Sequence, residues 1–349
     1  MQEAKRGFMG ENKDNVLEID DLRVYFYTEE GEVRAVDGVS FSIPRGSIMG
    51  LVGESGCGKS VTCYSVLRLI QQPGEIKGGA IRFYPKAGEA VDIVHLDEKS
   101  DALYRLRGGA ISMIFQEPMT ALSPVHTVGN QICEAIMLHS DTSPEAAAQI
   151  AVEMLAKVGI PNPASRLTQY PFEMSGGMRQ RVVIAMALVC TPEVLIADEP
   201  TTALDVTIQA QIMELIKTLQ RDLGTSTLLI THDLGVIAQL ADYVAVMYMG
   251  RIVEQGDVRS VMKDPRHPYT LGLLESLPSL ALNKERLASI EGSVPSLTEL
   301  PPGCPFHPRC PHVEPGHCDS GTPPELRLIE TDRLVACTRL EEIHGKKSA

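Results

Sequence analysis

Tryptophan is absent from the 349-residue sequence, and aromatic residues make up only 5% of it. No run of about 18 consecutive apolar residues occurs, so no segment predicts a membrane-spanning helix. The N-terminal stretch MQEAKRGFMGENKDN lacks the apolar core of a secretory signal, and we therefore expect a cytosolic protein. Basic residues are also few, 32 Lys and Arg against 45 Asp and Glu, and the net charge of -13 argues against general nucleic-acid binding.

Cysteine is present, but in a pattern that does not favour disulfides. The chain has eight cysteines, and a reducing cytosol leaves metal binding, reactivity or packing as their roles. Half of them are scattered along the chain, whereas the other half are concentrated near its C-terminal end, at Cys304, Cys310, Cys318 and Cys337.

Hydrophobic residues at 44% and charged residues at 22% are close to ordinary globular usage, and the length predicts about two domains. Short apolar runs that predict strands alternate with segments of helical periodicity over most of the chain. This alternation predicts an α/β fold with a mostly parallel core sheet. We expect a flexible N-terminus over 1–15, the α/β domain over 16–260 and an extension over 261–349.

A glycine-rich turn stands where a predicted strand changes into a predicted helix. Residues 53–60 read GESGCGKS, and apolar residues at helical spacing follow them. Backbone N–H groups in such a turn cradle phosphate oxygens, and the glycines let the chain curl tightly around them. Lys59 is expected to neutralise the β- and γ-phosphates and Ser60 to bind Mg²⁺. The predicted phosphate site comprises Gly53, Glu54, Ser55, Gly56, Cys57, Gly58, Lys59, Ser60 and Val61.

A second element of the predicted nucleotide site is VLIADEP at 194–200. Its apolar residues predict a buried parallel strand, which carries two carboxylates to the sheet edge where ligands bind in open α/β folds. Asp198 is expected to hold Mg²⁺, directly or through water. Glu199 is expected to act as the base that polarises the attacking water.

Three further motifs accompany these two in a fixed order. They read MSGGMRQR at 174–181, TALD at 202–205 and THD at 231–233. With them, the chain resembles the ATP-binding subunit of an ABC transporter over about residues 16–260. The resemblance implies the P-loop NTPase fold of an ABC ATPase, with an antiparallel β subdomain and a helical subdomain at about 117–175.

The resemblance also implies roles for single residues. Gln116 matches the glutamine that reaches Mg²⁺ and the attacking water, and His232 matches the histidine that contacts the γ-phosphate. Asp205 matches the aspartate that links two nucleotide sites in a dimer. The remaining matches form the signature loop, which in this family faces the ATP of the partner subunit: Ser175, Gly176 and Gly177.

Two features of the signature and adenine regions are less regular. Where the family usually has LSGGQ, this chain has Met174 in place of Leu and Met178 in place of Gln, which removes a polar group near the partner's ATP. The family also stacks an aromatic ring on adenine, and the consecutive aromatics of 25–27 are candidates. The alternation of the strand favours Tyr27, with plain packing as the alternative.

The C-terminal segments indicate which group of ABC ATPases the chain resembles. The segments HPYTLGLLESLPS and PGCPFHPRCPH, followed by two more cysteines, resemble the C-terminal extension of oligopeptide and dipeptide importer ATPases. Some of those subunits carry a [4Fe–4S] cluster on four such cysteines. The spacing matches neither the usual zinc pairs nor the ferredoxin runs, so a zinc site and metal-free thiols stay open beside the cluster. Because nine prolines stand within 295–324, this stretch should contain no regular helix or central strand.

The sequence thus predicts an energy-coupling ATPase of a peptide importer. The implied partners are a second, related ABC ATPase subunit, two membrane permeases and, indirectly, a solute-binding protein, with the chain peripheral at the cytoplasmic face of the inner membrane. Residues 117–132, which follow Gln116, are with the helices after them the expected permease-docking surface. Nickel or haem cargo, or a soluble non-transport ABC ATPase, are the alternatives. Because the extension supplies none of the ATPase motifs, we expect the nucleotide site to be independent of it.

Overall fold

The computed structural model describes residues 14–117, 120–201, 205–277 and 290–345. The predicted flexible N-terminus therefore lies outside the described residues except for its last two positions. The strands are β1 (Asn15–Thr28), β2 (Gly31–Pro44), β3 (Ile48–Val52), β4 (Gly74–Phe83), β5 (Val91–Asp92), β6 (Ile111–Ile114), β7 (Val194–Asp198), β8 (Ser226–Thr231), β9 (Tyr243–Tyr248), β10 (Arg251–Asp257), β11 (Arg327–Glu330) and β12 (Arg333–Val335). The α-helices are α1 (Lys59–Val66), α2 (Asp101–Leu106), α3 (Val128–His139), α4 (Pro144–Lys157), α5 (Pro163–Arg166), α6 (Gly176–Leu188), α7 (Val206–Leu223), α8 (Leu234–Leu240), α9 (Val258–Lys263), α10 (Pro268–Glu275) and α11 (Leu340–His344).

The first sheet is antiparallel and has the strand order β2-β1-β4-β5. The hairpin between β1 and β2 pairs Thr28 with Gly31. Alternate residues of β1 such as Leu17 and Ile19 are fully buried, as expected of strands that cover a core with one face. This sheet confirms the predicted antiparallel β subdomain.

The core sheet has the order β11-β12-β10-β9-β3-β8-β7-β6. Strands β9, β3, β8, β7 and β6 run parallel to one another, and the pairings of β10, β11 and β12 are antiparallel. Every residue of β3, β7 and β8 is buried, because helices cover one face of this sheet and the antiparallel sheet, together with α1, covers the other. The predicted α/β fold with a mostly parallel core sheet is confirmed.

The predicted helical region between β6 and β7 is also present. Its second long helix, α4, has a favourable N-terminus: the Ser143 hydroxyl accepts a hydrogen bond from the N–H of Ala146 at 3.3 Å, and Pro144 stands in the first turn. The chain turns after this helix at Gly159, whose φ of 76° is a conformation that favours glycine. Helices α3, α4 and α6 pack on one another through a continuous apolar core.

The C-terminal extension is joined to the core sheet more closely than the sequence predicts. Strand β12 pairs with β10, and β11 pairs with β12, so the extension lengthens the sheet by two strands. The proline-rich stretch 295–324 itself contains no α-helix or strand in its described residues, which confirms that expectation. Within the described ranges, none of the helices has the length and apolar character needed to cross a membrane.

Candidate functional site

The glycine-rich turn connects β3 to α1, as its sequence predicts. Two of its glycines are required by close backbone approach: a Cβ on Gly53 would lie 2.1 Å from the carbonyl oxygen of Met247, and a Cβ on Gly58 would lie 2.2 Å from that of Ala35. Gly56 has a φ of 79°, but a Cβ there would meet no described atom within 4 Å. The backbone at Met247 and Ala35 therefore packs closely against one side of this loop, while the side at Gly56 is open.

Lys59 is held inside this curl. Its ammonium donates hydrogen bonds to the carbonyl oxygens of Gly53 at 2.8 Å and of Glu54 at 3.0 Å, and only 5% of the residue is exposed. Helix α1 begins at Lys59, so its first N–H groups, which have no partner within the helix, lie at the same loop. The loop thus presents a positive charge and unpaired helix N–H groups together, the combination that binds phosphate.

Asp198, the last residue of β7, is fully buried. Neither of its carboxylate oxygens has a hydrogen-bond partner among the residues that the structure describes. Burial raises the pKa of this carboxyl, and the charge of Glu199 adds to that effect, whereas Ser60 and Lys59 oppose it. A buried carboxylate with free oxygens beside a serine hydroxyl fits the oxygen ligands that Mg²⁺ prefers, so Ser60 and Asp198 would hold the ion.

Glu199 follows directly and turns out of the sheet. Its backbone is in the left-handed region, with a φ of 46°, and its N–H donates to the carbonyl oxygen of Ile230 at 3.0 Å. The carboxylate lies 3.3 Å from Nδ1 of His232, which follows β8 and is 72% exposed along its side chain. The structure therefore brings together the two residues that the sequence assigns to water activation and γ-phosphate contact.

Gln116 lies two residues beyond β6 and is exposed. Because β6, β7 and β8 are neighbouring parallel strands, their carboxyl ends meet at one edge of the sheet. This edge carries Gln116, Glu199 and His232 in adjacent positions. The following residues, Pro118 and Met119, lie outside the described ranges.

The signature loop begins α6. The Ser175 hydroxyl caps this helix by accepting a hydrogen bond from the N–H of Met178 at 3.4 Å. A Cβ on Gly176 would meet no described atom within 4 Å, and one on Gly177 would meet only Ile208 at 3.6 Å. Both glycines thus lie beside open space, whereas Met174 is buried and packs into the core.

Gln180 is a residue of this region that sequence reasoning missed. It is fully buried on α6, and its side-chain amide donates to the carbonyl oxygen of Pro200, one residue after Glu199. The bond connects the signature helix to the loop that carries the predicted base. Gln180 stands between two arginines in the first turns of α6, so its sequence neighbours gave no sign that it is buried.

For Asp205 and Tyr27, the structure shows the local contacts but not the predicted contacts with a second subunit or with adenine. Asp205 is exposed and caps α7, where its carboxylate accepts from the N–H of Ile208 at 3.0 Å. Residues 202–204 of the same motif lie outside the described residues. Tyr27 is 43% exposed, and the ammonium of Lys77 lies 4.7 Å from the centre of its ring, so adenine stacking stays a prediction.

The four C-terminal cysteines line one small pocket together with His307 and His312. Burial raises the pKa of the Cys304 thiol to about 12 and that of Cys337 to about 11. Over the described ranges, no three His, Cys, Asp or Glu side chains are arranged as a ready-made metal site. The extension therefore gathers the predicted ligands around one pocket without the spacing of a finished site.

Beside this pocket, the extension reaches the phosphate loop. The guanidinium of Arg309 makes two hydrogen bonds to the carboxylate of Glu54, at 2.6 and 3.0 Å. Tyr269, at the start of α10, accepts a hydrogen bond from the N–H of Glu54 at 2.9 Å. Sequence reasoning missed both contacts, and no local pattern could have indicated a pair separated by 255 positions.

Comparisons with known proteins agree with this geometry. A family model described as ABC transporter matches residues 36–202, and one described as oligopeptide/dipeptide transporter, C-terminal region, matches residues 253–318. The first match includes the phosphate loop, the signature loop, Asp198 and Glu199, and the second includes three of the four C-terminal cysteines, whereas His232 and Cys337 lie outside both.

Curated relatives match over most of their length. A putative peptide import ATP-binding protein of Brucella abortus is 48% identical over 339 residues, which cover 95% of this chain and 99% of the relative. The dipeptide transport ATP-binding protein DppD of Bacillus subtilis is 52% identical and covers 86% of this chain and 88% of its own length. The oligopeptide transport protein OppD of the same species is 54% identical and covers 83% and 80%.

Solved structures match the fold. The ATP-binding cassette MJ0796, in a dimeric post-hydrolysis state bound to ADP and Pi, has a TM-score of 0.60 and 25% identity, covering 70% of this chain and 99% of that one. CbiO1 of Clostridium perfringens, part of a transporter complex, has a TM-score of 0.59 and 25% identity, covering 72% and 92%. The architecture described above is that of a P-loop ATPase of this class.

Proposed function

The chain belongs to the ATP-binding subunits of the oligopeptide and dipeptide ABC importer family, and from that premise we propose how its residues divide the work. It hydrolyses ATP as a transporter subunit. The observation that carries the division of roles is the convergence at one sheet edge. There Lys59 lies in the phosphate loop, Asp198 is buried with free oxygens, and Glu199 lies 3.3 Å from His232.

In this proposal, the loop and Lys59 bind the β- and γ-phosphates of ATP, and Ser60 and Asp198 hold Mg²⁺ with Gln116 nearby. Bound there, the ion would neutralise phosphate charge and orient the oxygens for in-line displacement. Glu199 accepts the proton of the attacking water, since its carboxylate stands at the strand end without the burial of Asp198. His232 orients Glu199 and contacts the γ-phosphate.

We further propose that the complete site needs a second ABC ATPase subunit. Ser175 and the two glycines after it form a helix N-terminus beside open space, a place for a partner's phosphates. The dimer of MJ0796 with ADP and Pi supports this arrangement by analogy. Asp205, exposed at the start of α7, would link the two sites.

The proposed permease contact is the surface that follows Gln116. Large apolar side chains are exposed between β6 and α6, with Val125 and Leu138 each 73% exposed and Phe172 68%. Tyr170 stacks on Phe172 at a centroid distance of 5.4 Å, so these two rings offer a joint apolar contact. We place the chain peripherally at the cytoplasmic face of the membrane, with two permeases and a separate solute-binding protein that selects peptides.

Activity in the assembled transporter tests this function. The isolated chain should hydrolyse ATP about 100-fold more slowly than the complex with a related ATPase and two permeases. The reason is that each site in the isolated chain lacks the partner's phosphate contacts. Peptide and solute-binding protein should stimulate the complex, whereas nickel and haem should not. Full, concentration-independent activity in a demonstrated monomer would contradict the composite site.

Lys59→Ala tests the phosphate loop itself. We expect ATP affinity to fall by about 10- to 100-fold, because the phosphates lose a charged hydrogen-bond donor. Calorimetric titration of the full chain measures this effect. Lys217→Ala is the matched control, since Lys217 is a half-buried lysine on α7, outside the loop, that donates to the carbonyl oxygen of Gln239. Unchanged affinity in Lys59→Ala would refute the assignment of the loop.

We also propose that the four cysteine thiols of the extension hold a [4Fe–4S] cluster. Four sulfur donors around one pocket, in a proline-rich stretch without regular secondary structure, fit such a cluster by number and chemistry. Bound there, it would cross-link a segment that has little core of its own. Zinc on the same thiols is the alternative outcome of metal analysis.

A further inference from the structure

Arg309 is a buried arginine in the extension, and its guanidinium binds the phosphate loop. Only 4% of its side chain is exposed. Its two terminal nitrogens bind the two carboxylate oxygens of Glu54 at 2.6 and 3.0 Å, and its Nε donates to the carbonyl oxygen of Glu291 at 3.2 Å. All three guanidinium nitrogens are thus engaged, which fixes the plane of the group.

The surroundings of this pair are rigid. Tyr248, Tyr269 and Phe306 pack against one another with ring centroids 4.6 to 5.4 Å apart, and each is almost fully buried. The guanidinium carbon of Arg309 lies 5.9 Å from the centre of the Tyr248 ring. The hydroxyl of Tyr269 accepts the N–H of Glu54, so backbone and side chain of Glu54 are both held from the extension.

Glu54 in turn belongs to the loop that holds Lys59. The carbonyl oxygen of Glu54 accepts one hydrogen bond from the Lys59 ammonium, and that of Gly53 accepts the other. A chain of direct contacts therefore runs from Arg309 through Glu54 to the lysine that faces the phosphates. We propose that Arg309 is a positioning residue for ATP binding: it fixes the phosphate loop and neutralises the carboxylate that the loop carries.

The charge of Glu54 predicts which substitution should weaken ATP binding more. Glu54 places a negative charge on the same loop that must bind a polyanion. Paired with Arg309, that charge is neutralised. Left unpaired in a partly buried place, it repels the phosphates and is poorly screened by salt. Removing Arg309 should therefore harm ATP binding more than removing Glu54.

The proposal rests on the proposed phosphate site and goes beyond it, and a four-variant cycle tests it. MgATP affinity is measured on the full chain for wild type, Arg309→Gln, Glu54→Gln and the double variant. We expect Arg309→Gln to bind about tenfold more weakly, a change that corresponds to 1.4 kcal/mol. Glu54→Gln should lose less, and the double variant should bind ATP more tightly than Arg309→Gln. Arg327→Gln, on exposed β11 in the same extension, is the control and should bind like wild type.

Steady-state kinetics of the assembled transporter separate positioning from mere loss of structure. Arg309→Gln should raise the KM for ATP about tenfold and leave kcat within about twofold, whereas partial unfolding lowers kcat at unchanged KM. If Arg309→Gln does not fold, Arg309→Lys decides, because it keeps the charge but not the two-point contact. Lys should then lose about threefold in affinity, since one hydrogen bond is lost.

Two results would overturn the proposal. One is wild-type affinity in Arg309→Gln or, where that variant is unfolded, in Arg309→Lys. The other is a double variant no better than Arg309→Gln, which would remove the repulsion argument. Either result together with a weakened Lys59→Ala would leave the phosphate site intact and reject only the role of Arg309. Unchanged affinity in Lys59→Ala would instead reject the site on which both proposals rest.

Discussion

Glu199→Gln is expected to reduce ATP turnover of the assembled transporter by about 100-fold or more while ATP still binds. Glutamine keeps the size and the polar contacts of the side chain but cannot accept the proton of the attacking water. Because the phosphate loop and Lys59 are untouched, the affinity for ATP should stay within about threefold of wild type. The variant should also accumulate as a closed dimer with ATP.

The position of Glu199 makes this a sharp test. It lies where β7 leaves the sheet, its backbone is turned by a φ of 46°, and its carboxylate lies 3.3 Å from His232. Glu214→Gln, at an exposed site on α7, is the matched control and should keep wild-type turnover. ATP hydrolysis at the wild-type rate by Glu199→Gln would show that another group activates the water.

The nucleotide site could be predicted from the sequence because each of its motifs is a short contiguous segment. The phosphate loop and the two carboxylates stand at the ends of short, wholly buried strands, and such strands read as continuous apolar runs. The loop after β3 and the carboxylates after β7 are therefore placed by their neighbours in sequence. That both strands end at the same edge of the sheet follows from the parallel α/β pattern, and in the structure β8 lies between β3 and β7 and runs parallel to both.

The contacts that sequence reasoning missed join distant parts of the chain. The bond from Gln180 to Pro200 and the pair between Arg309 and Glu54 depend on how separate elements pack, and no periodicity records that. The extension was read as irregular because of its prolines, yet β12 pairs with β10 of the core sheet. A strand of three residues carries too little pattern to be recognised before its partner is known.

The sequence predicts that the nucleotide site is independent of the extension, because all ATPase motifs lie before it. Contacts in the structure argue against this independence. The structure adds Arg309 and Tyr269, which hold both the side chain and the N–H of Glu54. Arg309 directly precedes Cys310, which lines the cysteine pocket, so we expect a change in that pocket to affect the phosphate loop.

Cys304→Ser is expected to abolish the metal content of the extension. Wild-type protein purified without oxygen should be brown and contain about four irons per chain, as a [4Fe–4S] centre requires. Loss of one thiolate ligand should bleach the colour, and the same holds for Cys310, Cys318 and Cys337. Cys133→Ser, a half-buried cysteine on α3 outside the pocket, is the control and should keep the iron.

ATP affinity measured on the same samples adds a second readout. If the pocket keeps Arg309 in place, Cys304→Ser should weaken MgATP binding about as much as Arg309→Gln, which is about tenfold. The two losses should not add when both substitutions are combined, because they act through the one contact with Glu54. Stoichiometric zinc without iron would replace the cluster with a structural zinc site and leave this coupling in force. Neither metal in anaerobic protein would reject the cluster, and iron loss with unchanged ATP affinity would show that Arg309 stays on Glu54 without it.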